Sequence, residues 1–435
     1  MKTLKLLIAL CLLPAAASAA DTLDITQAVS LALQNNLYMK LARSTTEAGK
    51  AAALASASSL LPQVAFSISQ TRTFNENATA LGFGEAPGGG AYMTGPFSTF
   101  DARLSLVQSL LNLPAAQLAR SKADEELAAS LQEKLAAQQV AAAAALAYLD
   151  VLRSSAAVSS AVSGRDLAAS LRRLAEDKLA AGTATGLDVL RARTSEAEET
   201  LRVSRARTEL EDASLRLRHL LGLPLSGNLE LTEKLAYVPS ELPSREGAVR
   251  DAMSSRIEIR IARASYSAAE HALKGAKYGR LPSLDLSGSA AFSGSTPDSF
   301  DRLVGDLGVG LRVPLFEGGR VSAGVDASRA AESRAQSLLN DASVQVQEDT
   351  LSALRRLEAS ADEVNTASMT VTMAGQELEM ARNRFAAGAG DNIELVAAQT
   401  SLSTARDSLV DALSRAKEAN IRLTLALGRM QQLKF

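Results

Sequence analysis

The sequence predicts a membrane protein of the α+β class, built twice in tandem, with each half joining one β-hairpin to very long helices. Three observations carry this. The chain opens on an export signal, it repeats itself over nearly its whole length, and strand-like alternation stands beside helical stretches that nothing interrupts.

The signal comes first. Lys2 and Lys5 form a basic start, Leu6 to Leu13 an apolar core, and Ala17-Ser18-Ala19 a small-residue cleavage site, so residues 1–19 read as a secretory signal peptide. Its core is too short to span a bilayer. Cys11, the only cysteine, lies inside that core after Leu10, whereas a lipid anchor needs its cysteine at the core's end behind a small residue. The mature chain then carries no thiol, disulfide or cysteine metal site. No later stretch reads as a membrane helix. The best candidate, Val140 to Leu149, is about half the length required. A membrane crossing must therefore use strands.

Composition narrows the class. The chain has 435 residues, with 46 Lys and Arg against 48 Asp and Glu. That balance, with no basic stripe, argues against nucleic acid as a partner. Aromatic residues are 4 % of the chain and Trp is absent, which favours Ala-rich helices packed closely over a bulky core.

The repeat divides the mature chain into residues 20–230 and 231–435. An offset of 220 places Ala28-Val29 on Ala248-Val249, Ala42-Arg43 on Ala262-Arg263 and Leu61-Pro62 on Leu281-Pro282. An offset of 206 then places Val107 on Val313, Ala180-Ala181-Gly182 on Ala386-Ala387-Gly388 and Leu221-Gly222 on Leu427-Gly428. The first copy thus holds 14 extra residues between Pro62 and Val107. Packed helices must keep equal length; a loop need not.

Strands are predicted at about 63–74 and 100–110 in the first copy and at about 282–292 and 302–315 in the second. Val64, Phe66 and Ile68 alternate with Ala65, Ser67 and Ser69; Leu303, Leu307, Val309, Leu311, Val313 and Leu315 alternate with Asp306, Gly308, Gly310 and Arg312. Period two with one apolar face fits an outer-membrane barrel strand, and equally a soluble half-buried one. The export signal and the helices favour the barrel. The first hairpin's long loop, near Asn75 to Ser98, contains Gly88-Gly89-Gly90 and suits an outer surface. Phe74, Tyr92, Phe97, Phe100 and Phe300 gather there, as an aromatic girdle or as loop packing. Four strands cannot close a barrel, so a spanning chain must bind outer-membrane lipid as an oligomer.

Helices are predicted from about Ala115 to Ala181 and Val321 to Ala387, each about 66 residues or about 100 Å long. Shorter ones run from about Asp24 to Ser58 and Leu187 to Leu221, the first opened by an Asp24–Gln27 capping box. In the second copy Leu357, Val364, Val371, Leu378 and Phe385 recur every seven residues. Ser360, Ala367, Ala374 and Ala381 fall between them, and the next helix repeats the scheme with Leu395, Leu402, Leu409 and Leu423 against Ala398, Ala405, Ala412 and Ala419. Large against small lets two antiparallel helices approach closely. The first copy puts Arg165 and Arg172 where apolar residues are expected, which predicts an offset or wet seam.

The stretches Lys178 to Leu190 and Arg384 to Leu395 resemble the periplasmic tips of the TolC-like outer-membrane efflux protein family. Val313 to Arg320 is similar to its strand-to-helix junction, and the Leu221-Gly222 and Leu427-Gly428 ends fit as well. The resemblance covers essentially the whole mature chain. It implies a homotrimer whose protomers each give four strands to a shared trans-membrane β-barrel and long helices to a shared periplasmic α-helical tunnel. A periplasmic adaptor (membrane fusion) protein and an inner-membrane pump would be partners, the outer membrane of a Gram-negative bacterium the location, and passive efflux or type I secretion the function, without enzyme activity or cofactor. It further implies adaptor contact at Gly182, Thr183, Gly186, Leu187, Gly388, Ala389 and Gly390, and a periplasmic gate at Asp188, Glu394 and Phe385. Here the sequence departs from the family's pattern. A second acidic lumen position falls on Ala397, a basic one on Gly390, and Phe385 stands where a Tyr is used. Asp188 and Glu394 also read as ordinary acids at helix N-termini. The rival reading is a periplasmic coiled-coil adaptor without a barrel.

No catalytic constellation is legible. His219 and His271 lack ligand spacing, and no Lys-Ser/Thr follows the glycine runs. Met369, Met373 and Met380 share a helical face, as seam filler or as a soft-metal path.

Overall fold

The computed structural model describes residues 21–73, 76–77, 93–94, 97–227, 229–239, 242–298 and 302–430. The expected signal peptide with Cys11, the Gly88–Gly90 run, Phe74, Tyr92 and Phe300 lie outside them. In chain order the elements are β1 (Asp21–Leu23), α1 (Ile25–Asn35), α2 (Leu37–Ser58), β2 (Gln63–Thr73), β3 (Glu76–Asn77), β4 (Met93–Thr94), β5 (Phe97–Leu111), α3 (Leu113–Ala180) and α4 (Gly186–Leu221). The second copy follows with β6 (Leu229–Leu231), α5 (Arg245–Ser255), α6 (Ile257–Tyr278), β7 (Ser283–Gly294), β8 (Arg302–Arg312), α7 (Arg320–Ala386) and α8 (Asn392–Ala426).

The chain folds into two compact units. One comprises Arg43–Glu133 and Glu258–Ser343; the other comprises Met1–Ala42, Lys134–Ile257 and Val344–Phe435, as far as these are described. The first unit holds a four-stranded antiparallel sheet in the order β2-β5-β7-β8. Its register sets Phe66 opposite Leu104, Leu104 opposite Ala290 and Ala290 opposite Gly305. Val64, Phe66, Ile68, Leu303, Leu307, Val309 and Leu311 stand exposed on one face. The other face is polar. Arg103 grips Asp101 through two nitrogens at 3.0 and 3.1 Å and donates to Ser289 Oγ at 2.8 Å, while Ser109 donates to Asp285 at 2.8 Å. The last strand stops at Arg312, three residues earlier than alternation predicted. Pro314 has no N–H to offer a ladder, and the chain leaves the sheet before it.

The second unit is helical, and its core corrects two expectations. The stretch Asp24 to Ser58 is two helices, because Asn36 adopts an extended conformation (φ −62°, ψ 135°). Arg256, its counterpart, does the same (φ −65°, ψ 128°) and separates α5 from α6. The two breaks dock alike. Asn35 and Asn36 donate side-chain amides to the carbonyls of Leu221 and Leu220 at 3.3 and 3.0 Å. Ser255 and Arg256 donate to those of Leu427 and Ala426 at 2.8 and 3.2 Å. The orphan carbonyls at the ends of α4 and α8 are satisfied this way. Gly222 permits the approach: its φ is +67°, and a Cβ there would lie 2.8 Å from Asn35 Cβ.

The second correction concerns α3. One of its stretches is long and apolar enough to cross a membrane, and 56 % of it is buried. Ala141, Ala142, Ala144, Ala145 and Tyr148 pack with Ala28, Ala32, Leu217 and Leu221, so this is a core helix. Tyr148 donates to Leu23 O at 3.1 Å, and burial, aided by the charge of Glu233, pushes its phenol up to about 12. The short parallel pairing of β1 with β6 beside it was not foreseen. Three residues are too few for a period to show.

Candidate functional site at the hairpin tips

Both helical hairpins turn in the same way. At the first tip Gly182 has φ +72°, and the Thr183 and Gly182 amides donate back to the Lys178 and Leu179 carbonyls at 2.9 and 3.0 Å. At the second, Gly388 has φ +75°, and the Ala389 and Gly388 amides donate to Arg384 and Phe385 carbonyls at 2.9 and 3.1 Å. Each pair of bonds ends a helix through a left-handed residue that only glycine adopts cheaply.

The next helices start differently. Thr185 caps α4 in a reciprocal box. Asp188 accepts from the Thr185 amide at 2.8 Å and from its hydroxyl at 2.7 Å, and donates its own amide to Thr185 Oγ1 at 3.3 Å. The Thr185 hydroxyl, then its amide, hold the Asp188 carboxyl below its ordinary range. Asp391 caps α8 through the Ile393 amide at 3.0 Å.

Three residues that sequence reasoning passed over tie the tips. Asn392 is 2 % exposed and donates its amide to the Asp188 carbonyl at 2.7 Å. Lys178 reaches across to the Ala386 carbonyl. Arg384 pairs with Glu394 at 3.5 Å, both exposed. The signal for Arg384 was available, since an Arg and a Glu flank one tight turn. Asn392 gave none, because an Asn at a helix start reads as turn chemistry.

The gate candidates separate by burial. Glu394 is exposed, Asp188 is engaged in its cap, and Phe385 lies in the protomer's own core with Leu378, Leu395, Ala398, Leu402, Val189 and Ala192. Gly182, Thr183, Leu187, Gly388 and Ala389 are exposed and Gly186 is surface-lying, all at the turns. Gly390 is half-buried, and a Cβ on it would lie 3.0 Å from Arg384 Cβ and 3.1 Å from Phe385 N. A basic side chain at that position requires the turn to shift.

Behind the tips the seams differ. Arg172 binds Glu176 and Glu196 at 2.6 Å each, and Arg193 joins Glu176 at 2.9 Å. These bonds, from Arg193 and then Arg172, hold the Glu176 carboxyl below its usual range. Arg165 turns outward to Asp166. Further along, Glu199 lies against Gly164, whose added Cβ would come within 2.6 Å of Glu199 Oε2. Glu199 accepts from Ser403 at 3.1 Å and pairs with Arg202 at 3.2 Å. Among the described residues, no group of three or more His, Cys, Asp or Glu is arranged to hold a metal ion.

A sequence model described as outer membrane efflux protein matches residues 28–223 and again 248–429. The chain belongs to the outer membrane efflux protein family. Its place is accordingly the outer membrane. The pyoverdine export outer membrane protein OpmQ of Pseudomonas aeruginosa is 26 % identical over 60 % of this chain and 56 % of its own length. The alkaline protease secretion protein AprF of the same organism is 26 % identical over 90 % of this chain and 81 % of its own. This chain thus spans little more than half of the first relative. Among solved structures, VceC of Vibrio cholerae has a TM-score of 0.81 at 19 % identity, covering 93 % of this chain and 96 % of that one. The outer membrane channel CmeC of Campylobacter jejuni has a TM-score of 0.83 at 17 % identity, covering 94 % and 87 %. The fold of the efflux protein family is therefore the fold of this chain.

Proposed function

We propose that three copies of this chain form an outer-membrane duct that passively exports cargo received from an inner-membrane pump through a periplasmic adaptor. The observation that carries this is the sheet. Its four strands leave β2 and β8 as edges, and one whole face of exposed Val, Leu, Ile and Phe suits lipid. Three such sheets closing edge to edge give twelve strands. The exposed apolar face favours this over a periplasmic coiled-coil protein, in which it would stand in water.

In this reading residues 1–19 direct export, and residues 20–230 and 231–435 are the two efflux repeats. OpmQ and AprF are named for exporting pyoverdine and secreting a protease. A duct serving either needs no chemistry of its own. The tip turns around Gly182 and Gly388 meet the adaptor. Glu394 supplies the charge at the entrance, Asp188 fixes the start of α4, and Phe385 anchors the second tip from inside.

Membrane fractionation with single-channel recording tests the proposal. The expected result is a chain in the outer-membrane fraction that conducts as a trimer, with Glu394→Gln plus Asp188→Asn increasing leakage through the closed duct. A purely soluble mature chain overturns the duct. Unchanged conductance and antibiotic sensitivity in the double variant remove these two acids from the gate.

A further inference from the structure

The stretch after α4 covers one face of the helical unit. Leu229, Leu231 and Glu233 roof a cleft over Val151, Leu152 and Ser155 of α3 and Ser214 of α4. Tyr237 packs with Val364 of α7 and with Ala412 and Ala416 of α8, in a cluster that Leu413 joins. Two residues along an α-helix turn by about 200°. Asp150 and Arg153 are two positions from Leu152 and Ser155, Arg216 two from Ser214, and Asp411 and Arg415 two on either side of Leu413. These charges therefore stand on the opposite, uncovered face.

A row of ion pairs crosses that face through all four helices. Arg216 of α4 binds Asp150 of α3 at 2.8 Å. Arg153 of α3 binds Asp150 at 3.0 Å and reaches Asp411 of α8 at 3.8 Å. Arg415 of α8 binds Glu363 of α7 at 3.0 Å, and Arg422 binds Glu418 at 2.6 Å. Clefts of about 410 and 240 Å³ open between these helices and share Arg415 and Glu418. Positive and negative groups balance along the row, and Arg356 in the smaller cleft adds one more cation. Toward the tip the same stripe of α8 is exposed and uncharged, with Ala397, Ser401, Thr404 and Ser408. Ion pairs this open to water contribute little to stability. Their alignment at one level across four helices points to the space they border.

In the duct proposed above, on which this inference rests, the covered face lies outside, because inside it the linker would fill the bore. The charged row then lines the lumen. Twelve helices about 9 Å apart form a ring whose bore is roughly 12 Å in radius. The Debye length is about 10 Å at 0.1 M salt, so charges on the wall act on most of the bore. A ring of unpaired acids there would select cations. We infer that the row is a charge-compensated belt that sets which charged solutes the wall admits: Arg153 and Arg415 cancel Asp150, Asp411 and Glu363, and so keep the wall open to solutes of either sign.

Reversal potentials test it. The full-length chain is reconstituted in planar bilayers between solutions of about 10 and 100 mM KCl, where screening is weak. Arg153→Gln with Arg415→Gln should raise the K⁺/Cl⁻ permeability ratio at least threefold over the unmodified chain. Arg415→Gln alone, the mildest change, should move it the same way by less. Asp150→Asn, Asp411→Asn and Glu363→Gln together should lower it at least threefold. Combining all five substitutions should restore the unmodified ratio, a rescue that loosened packing does not give. A ratio unmoved by either set, or moved the same way by both, overturns the belt and leaves the duct standing. An unmodified chain that forms no channel overturns both.

Discussion

The two helical hairpins occupy the same place in their repeats and keep nearly the same length, yet only the first adds a cluster of ion pairs to its apolar contacts. The α7–α8 hairpin closes on an apolar seam of Leu378, Phe385, Leu395 and Leu402 with alanines between. The α3–α4 hairpin joins the same cluster through Leu171, Ala175, Val189 and Ala192 and adds a polar layer of Arg172, Glu176, Arg193 and Glu196, with Glu199 folded over Gly164. An apolar seam is insensitive to salt and pH, whereas half-exposed ion pairs weaken with both. After duplication the geometry was conserved and the chemistry was not. The first hairpin is the one whose closure can be adjusted by its surroundings.

The largest break in this comparison is Phe385→Ala. It empties the centre of the apolar seam and should cost about 3–5 kcal/mol. Hydrogen exchange should show the loss concentrated in α7, α8 and the part of α4 around Val189 and Ala192; an equal loss along the whole of α3 would contradict this local cluster. Next is Asn392→Ala. It removes the amide that joins the second tip to the Asp188 carbonyl, which keeps its donor within α4, and should cost about 0.5–1.5 kcal/mol, read by thermal unfolding and by faster exchange at both tips. A change confined to one tip would deny that Asn392 joins them.

Gly164→Ala offers a sharper comparison, because the second copy has Ala405 where the first has Glu199. Alone, the substitution gains helix propensity but collides with the Glu199 carboxylate. Combined with Glu199→Ala it should exceed the single Glu199→Ala variant in stability by about 1 kcal/mol, the intrinsic advantage of Ala over Gly. A penalty in the double variant would show that Gly164 serves something other than Glu199.

The smallest effect is pH. The folded-state pKa of Glu176 lies below its ordinary value, so its stabilisation is present above the unfolded-state pKa. It is lost as pH falls through the folded one. Acidification from about pH 5 downward should raise exchange in α3 and α4 near the tip before α7 and α8 respond. Arg193→Ala combined with Arg172→Ala should abolish the difference.

Much of this was legible in the residues. The seven-residue spacing from Leu357 to Phe385 located one seam, and Arg172 in an apolar slot foretold that the other is wet. The capping box of Asp24 and Gln27 is closed at 2.7 and 3.2 Å. The breaks at Asn36 and Arg256 were hidden, because neither residue forbids a helix; what bends the chain there is a pair of distant carbonyls. Phe385 was legible as the last member of that seven-residue spacing, and it is buried there with Leu378 and Leu395. Period and propensity report local preference, and the two breaks are decided by contacts far along the chain.

Those docked breaks bear on when the protein can fold. Asn36 reaches a carbonyl 184 positions away, Arg256 one 170 away, and Gln138 donates to Gly428 across 290. The helical unit is stitched from three separate stretches of chain, the last beginning at Val344. Contacts of such separation form late, since the intervening chain must be closed into a loop before they return any energy. A polypeptide threaded across an inner membrane from its N-terminus therefore stays unable to complete this core until α8 has emerged. The topology by itself delays folding.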